Sequence, residues 1–375
     1  MRVRTPGEHA RVGFVELFFD LVFVFAITQV SHLLLAHLTP LGALEAAILL
    51  AAVWWVWIDT SWITNWLDPE RGPVRLMLFA LMAAGLIMST SLPEAFGDKG
   101  LVFACAFVAI QVGRGLFTLR AVWGAPAQRA NFQRIVVWAL LGAVFWISGG
   151  LAEGQTRLAL WLIALGLEFT GPAMAFFVPG LGRSSTTDWD VEGAHLAERV
   201  GLFVIICLGE SIIITGATFA ELAWTPTVVA VFVSALITTI TMWWLFFSEA
   251  HEAGSETISH AADPGAIARR TYTYCPIIVV AGIVVTAVGD ELALAHPLGA
   301  AGVANAAVLI GGPMLFLLGT ALSIYSIWGK VAWPRVVGVA ALGAALLFGQ
   351  GLSPLALTMT STVILVLTAI WDRRG

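Results

Sequence analysis

The stretch Phe14-Val15-Glu16-Leu17-Phe18-Phe19-Asp20-Leu21-Val22-Phe23-Val24-Phe25-Ala26-Ile27-Thr28-Gln29, apolar onward to about Leu38, decides the fold class. It is longer than the apolar core of a cleavable leader and has no small-x-small cleavage site. A helix needs about 20 apolar residues to cross the hydrocarbon core, so a retained first span is expected here. The two acids within it are the anomaly, because a charge at the centre of a spanning helix costs about 2.5–3.5 kcal/mol on insertion scales. The rest of the chain is of the same kind. Of its 375 residues 59% are hydrophobic and 11% charged, with a mean hydropathy of +0.90. A soluble chain carries about 25% charged residues.

The length rule predicts an all-α, polytopic bundle of about twelve spans. The first six are expected near 14–38, 42–65, 74–93, 100–122, 133–152 and 157–178. The second six are expected near 196–218, 225–248, 271–290, 299–327, 334–350 and 353–371. Clusters such as Asp68-Pro69-Glu70-Arg71-Gly72-Pro73 and Asp263-Pro264-Gly265 mark the breaks. Gly311-Gly312-Pro313 predicts a kink or break within the tenth. With the N-terminus placed in the cytoplasm, 16 of the 19 Lys and Arg fall on the cytoplasmic side. Lys99 and Arg157 fall outside and Arg114 within a span. By the positive-inside rule both termini are then cytoplasmic.

The halves share features in common order. Arg11-Val12-Gly13 matches Arg199-Val200-Gly201, Trp54-Trp55 matches Trp243-Trp244, and Arg134-Ile135-Val136 matches Arg335-Val336-Val337. Asp59 and Glu249 follow the two Trp pairs. This order predicts a parallel duplication of a six-helix unit, residues 1–180 and 181–375. Interfacial chemistry alone also produces such Trp pairs and Arg-x-Val starts.

Glu16 and Asp20, at i and i+4, share a helix face about 6 Å apart along the axis. Both ionise only if a cation intervenes, so they form either a proton or cation site or a structural pair neutralised by Arg11 or another base. Glu210 follows Gly209, which is expected to admit a neighbouring helix or water. It shares a face with Arg199, about 16 Å away, and is the leading single candidate, with Glu198 and Arg199 in support. Arg114, between Gly113 and Gly115, stays charged and needs a carboxylate from Glu16, Asp20, Asp59, Glu168 or Glu210. Gln29 and His32 face away from Glu16; a proton relay competes there with a plain interfacial role.

Cys105, Cys207 and Cys275 lack metal or disulfide spacing and are expected to be small buried hydrophobes. His251, Glu252, Glu256 and His260 are loosely spaced like metal ligands, but a solvated loop face is the default. No metal or cofactor is expected. HExxH, GxSxG and DDxxD are all absent, so no enzyme is expected. The expected partners are the lipid bilayer and a small solute, monovalent cation or proton, with a second copy of the chain as a candidate; no basic block suggests nucleic acid.

Val15 to Gln29, and Glu198-Arg199-Val200-Gly201-Leu202-Phe203-Val204-Ile205-Ile206-Cys207-Leu208-Gly209-Glu210-Ser211-Ile212, resemble two blocks of the bacterial low temperature requirement A family. That resemblance covers nearly the whole chain and implies a multi-pass inner-membrane protein of no established activity. Phe18-Phe19-Asp20, followed by Val22-Phe23, is more faintly similar to the Phe-Ser-Asp motif of potassium channels built from two six-helix repeats. Here Phe19 replaces the Ser, and Gly209-Glu210-Ser211 stands where the second motif is expected. The expectation is a transporter or channel using intramembrane carboxylates. The alternatives are a non-transporting sensor or scaffold and, third, a lipid-modifying enzyme.

Overall fold

The computed structural model describes residues 12–185, 191–247, 264–349 and 351–373. Among them the only strand-like pairing is one isolated bridge, Val178–Gly182; the rest is helix and connection. The first six helices are α1 Phe14–Ala36, α2 Pro40–Trp66, α3 Gly72–Ser91, α4 Gly100–Ala121, α5 Pro126–Leu151 and α6 Gly154–Ala173. They are followed by α7 Gly193–Glu221 and α8 Pro226–Phe246. A short helix, Pro264–Ala268, then passes through a π-helical stretch, Arg269–Tyr274, into α9 Cys275–Ala295. The chain ends with α10 Val303–Trp328, α11 Trp333–Phe348 and α12 Pro354–Asp372.

Among the described residues ten helices are long and apolar enough to cross a membrane, the stretch Gly265–Ala295 counting as one. The other two of the twelve are α6, which carries Arg157 and Glu168, and α11, only 16 residues long. This is the build of a polytopic membrane bundle, since only helices and closed barrels satisfy the backbone in lipid. The surface agrees with it. Phe14, Leu76, Val144, Leu347, Phe348 and Leu367 are exposed, while Glu16, Asp20, Arg114 and Arg199 are buried.

Local chemistry sets many of the helix ends. Proline opens α2, α5, α8 and α12, where its missing N–H leaves nothing unsatisfied. Thr225 and Ser353 cap α8 and α12, their hydroxyls accepting from Val228 N at 3.3 Å and Ala356 N at 3.2 Å. Gly329, at φ 66°, closes α10 in the left-handed conformation.

The chain divides into two compact units. Unit 1 holds residues 1–33, 44–199 and 261–266, and unit 2 the remainder. One core of unit 1 is aromatic: Trp146 packs on Phe107 at 4.4 Å and on Trp161 at 5.6 Å. Trp161 also donates to Trp146 O at 3.1 Å. In unit 2 the closest pairing is α9 with α10. A Cβ on Gly282 would lie 2.5 Å from Phe316 N, on Gly312 2.5 Å from Thr286 N, and on Gly319 2.7 Å from Val279 N. A Cβ on Gly289 would meet Leu309 Cα at 3.3 Å. The partners run antiparallel in equal steps, with glycines seven apart on each helix, which is the small-residue seam of a close membrane crossing.

Several expectations need correction. The break allowed for at Gly311-Gly312-Pro313 does not occur, since one helix runs through it with Pro313 inside; Gly312 serves close packing against Thr286. Cys105 is exposed rather than buried, and Cys275 is half-buried. Trp54-Trp55 lie near the middle of α2 and are buried, whereas Trp243-Trp244 lie near the end of α8 and are exposed.

Candidate functional site

Two charge clusters lie inside unit 1 on adjoining faces of α2. In the first, α1 presents Glu16 and Asp20, and the first turns of α7 present His195 and Arg199, again at i and i+4. His195 Nε2 lies 3.1 Å from Glu16 Oε1. Arg199 grips both oxygens of Asp20, at 2.8 and 3.0 Å, and its Nε lies 3.9 Å from Glu16. Both pairs are 179 residues apart, so here α1 and α7 run parallel in register. All four side chains are buried.

α2 completes this cluster with Trp57, Ser61 and Asn65, one helix face at i, i+4 and i+8. Trp57 Nε1 donates to Asp20 at 2.7 Å, and Ser61 Oγ accepts from Arg199 at 3.2 Å. Asn65 Oδ1 accepts the Glu192 N–H at 3.1 Å, which orients its amide so that Nδ2 faces His195 Nδ1 at 3.3 Å. Nδ1 is then an acceptor, and the imidazole proton sits on Nε2, toward Glu16. Glu16 also accepts the Gly13 N–H at 2.9 Å, and Glu198 that of Val12 at 3.2 Å. The cation expected between the two acids is Arg199. Arg11 lies outside the described residues.

The second cluster uses Trp55, Val56, Asp59 and Thr60 of α2. Arg114, buried on α4, donates to Asp59 Oδ2, Val56 O and Thr60 Oγ1, each at 2.9 Å, and also to Gln111 Oε1. Of the five carboxylates available to it, Asp59 pairs with it directly. Gln111 reaches Asp59 and Glu168, both at 3.4 Å, and Trp55 Nε1 donates to Glu168 Oε2 at 3.0 Å. Two features set this cluster apart. The Asp59 side chain is 30% exposed. Glu168 Oε1 is buried with no hydrogen-bond partner among the described residues, beside the space left by Gly142.

Glu210 joins neither cluster; it is half-buried on the part of α7 that belongs to unit 2. Gly209 meets nothing within 4 Å of an added Cβ, so the expected close helix approach is absent there. His32 is exposed and Gln29 half-buried. In unit 2, buried Arg335 of α11 pairs with Asp372 at 2.8 Å and donates to Leu245 O at 3.0 Å. Its offset counterpart Arg134 is half-buried and donates to Leu181 O at 2.8 Å.

Sequence reading missed His195, Trp57, Ser61, Asn65 and Gln111. The i, i+4 spacing of His195 and Arg199, mirroring Glu16 and Asp20, was the one available signal. Among the described residues no group of three or more His, Cys, Asp or Glu could hold a metal ion. His251, Glu252, Glu256 and His260 lie outside them.

Residues 11–370 match the family model described as bacterial low temperature requirement A protein (LtrA). An uncharacterized protein of Rhizobium meliloti (strain 1021) is 40% identical over 375 residues, 97% of this chain and 90% of the relative. No solved structure matches the chain.

Proposed function

The chain belongs to the bacterial low temperature requirement A family, and from its buried charges we propose that it is a transporter or channel for a small ion or solute. The observation that carries this reading is the second cluster, where Arg114 pairs with Asp59, Gln111 reaches both Asp59 and Glu168, and Glu168 Oε1 has no donor among the described residues. A carboxylate at membrane depth with a vacant oxygen suits a proton or a monovalent cation. Partly exposed Asp59 is its route of exchange. The first cluster, where Arg199 pairs with both oxygens of Asp20, serves as a lock that holds α1, α2 and the start of α7 together. Glu210 remains a coupling candidate in unit 2.

The test is flux. Purified protein in phosphatidylethanolamine/phosphatidylglycerol vesicles is loaded with a pH-sensitive dye and given a potassium or sodium gradient. Glu168→Gln and Asp59→Asn are expected to cut proton or cation flux at least about tenfold, the effect of losing one essential interaction of about 1.4 kcal/mol or more. Parental flux in both variants overturns this assignment.

The finer architecture in this reading is twelve crossings, a duplicated six-helix unit and both termini in the cytoplasm of a bacterial inner membrane. The order of Trp54-Trp55, Arg134 and their counterparts supports the duplication, and the Lys and Arg distribution supports the orientation. A non-transporting sensor or scaffold is the second reading, favoured by the complete pairing of Asp20. Absence of flux in the parent protein, together with loss of folding in the cluster variants, would support that second reading.

A further inference from the structure

Unit 2 carries a carboxyl that no charge cluster accounts for. Asp290 lies on α9, five residues before its end, and is 3% exposed. Its Oδ2 is buried with no hydrogen-bond partner, and no salt bridge reaches it among the described residues.

Among the described residues no cation lies within salt-bridge distance of it. α9 packs on α8, α10 and α12, and α7 comes near its start, where Val200 and Pro276 line one cavity. The only charged residues on the unit 2 part of α7 are the acids Glu210 and Glu221. α8 has no titratable residue, α12 has only Asp372, already held by Arg335, and α10 has only Tyr325. Because α10 runs antiparallel, its first turns face Asp290, and Tyr325 lies about 24 Å further along. Arg269, Arg270, Tyr272 and Tyr274 precede the far end of α9, a similar distance away. On its own segment stand Cys275 at that far end, Glu291 next in sequence and His296 just past the helix. The glycine seam of Gly282, Gly289, Gly312 and Gly319 keeps water from the α9–α10 interface beside it.

We infer that Asp290 is a proton-binding site: it holds a proton in the packed arrangement of α9 and α10 and releases it only when that seam opens to water. An isolated ionised carboxylate in an apolar interior neutralises rather than stays charged. Asparagine and protonated aspartic acid are nearly the same size, so the seam tolerates either.

The test reads protonation, not flux, so it stands apart from the transport assignment in unit 1. Infrared spectra of the full chain in phosphatidylethanolamine/phosphatidylglycerol vesicles at neutral pH are compared with those of Asp290→Asn. The wild type is expected to show a carboxylic acid C=O stretch that the variant lacks, with slow deuterium exchange. Identical spectra in that region overturn the proposal. If Asp290→Asn does not reconstitute, Asp290→Glu serves, in which the band is expected to shift in position. A band unmoved by Asp290→Glu is equally fatal to it.

Discussion

Arg199 and Asp20 meet end-on, two guanidinium nitrogens on two carboxylate oxygens at 2.8 and 3.0 Å, both side chains buried. Bidentate pairs are among the stronger charge-assisted contacts, but their burial makes them asymmetric. Breaking one partner leaves an uncompensated charge and costs about 3–5 kcal/mol. Asp20→Asn and Arg199→Gln are each expected to destabilise by that amount, read as thermal unfolding in detergent. The double substitution by leucine should recover part of the loss. Single variants as stable as the parent would show that the pair contributes nothing.

The second cluster should respond unevenly. Arg114→Gln removes the donor to Asp59, Val56 O and Thr60, and is expected to destabilise by about 3 kcal/mol. Glu168→Gln keeps the Trp55 contact and should cost no more than about 1 kcal/mol, the worth of one ordinary hydrogen bond. Equal losses in the two unfolding curves would contradict the unpartnered oxygen assigned to Glu168.

Glycine positions on α10 offer a paired control. Gly312→Ala drives a Cβ to 2.5 Å from Thr286 N, whereas nothing lies within 4 Å of the same atom on adjacent Gly311. Overpacking costs about 1–3 kcal/mol. Gly311→Ala should be neutral or stabilising by up to about 1 kcal/mol through helix propensity. The two melting temperatures settle it, and the reverse order is incompatible with the seam.

Arg157 is the counter-example, a buried cation with no acid partner among the described residues. It donates to Gly149 O, Ala152 O, Ala95 O and Gly97 O, at 2.6–3.2 Å, tying the end of α5 to the turn after α3. Its planar fork reaches carbonyls that a single ammonium cannot. Arg157→Lys is expected to lose about 1–3 kcal/mol, as buried acceptors go unmade. Retained stability would mean that water or the lysine substitutes.

Sidedness is open to direct labelling. In a chain whose three cysteines are replaced, a cysteine at Asp98 should react with an impermeant maleimide on intact cells, and one at Arg71 only after lysis. The opposite pattern would invert the orientation drawn from the Lys and Arg count.

Much of the secondary structure was legible in the sequence because lipid leaves the backbone little choice. Runs of about 20 apolar residues must be helical, and Pro and Gly punctuate them. The helix starts at Pro40, Pro126, Pro226 and Pro354 follow from that local chemistry. Glu16 and Asp20 were conspicuous for the same reason, as was the need of Arg114 for an acid. The choice among five acids was not legible, since it depends on which helix lies beside α4.

By itself, then, the sequence determined a helical membrane chain, the positions of its segments and the residues whose charge is out of place. Hydropathy and helix periodicity are properties of neighbours along the chain. Only the tertiary structure decided that Arg199 answers Asp20, that His195 answers Glu16, that Asp59 answers Arg114, and that Asp290 Oδ2 has no hydrogen-bond partner among the described residues. Those contacts join residues 55 to 179 positions apart, and no local pattern encodes which buried faces come together. The paired carboxylates of the first span are held from a helix nearly half the chain away.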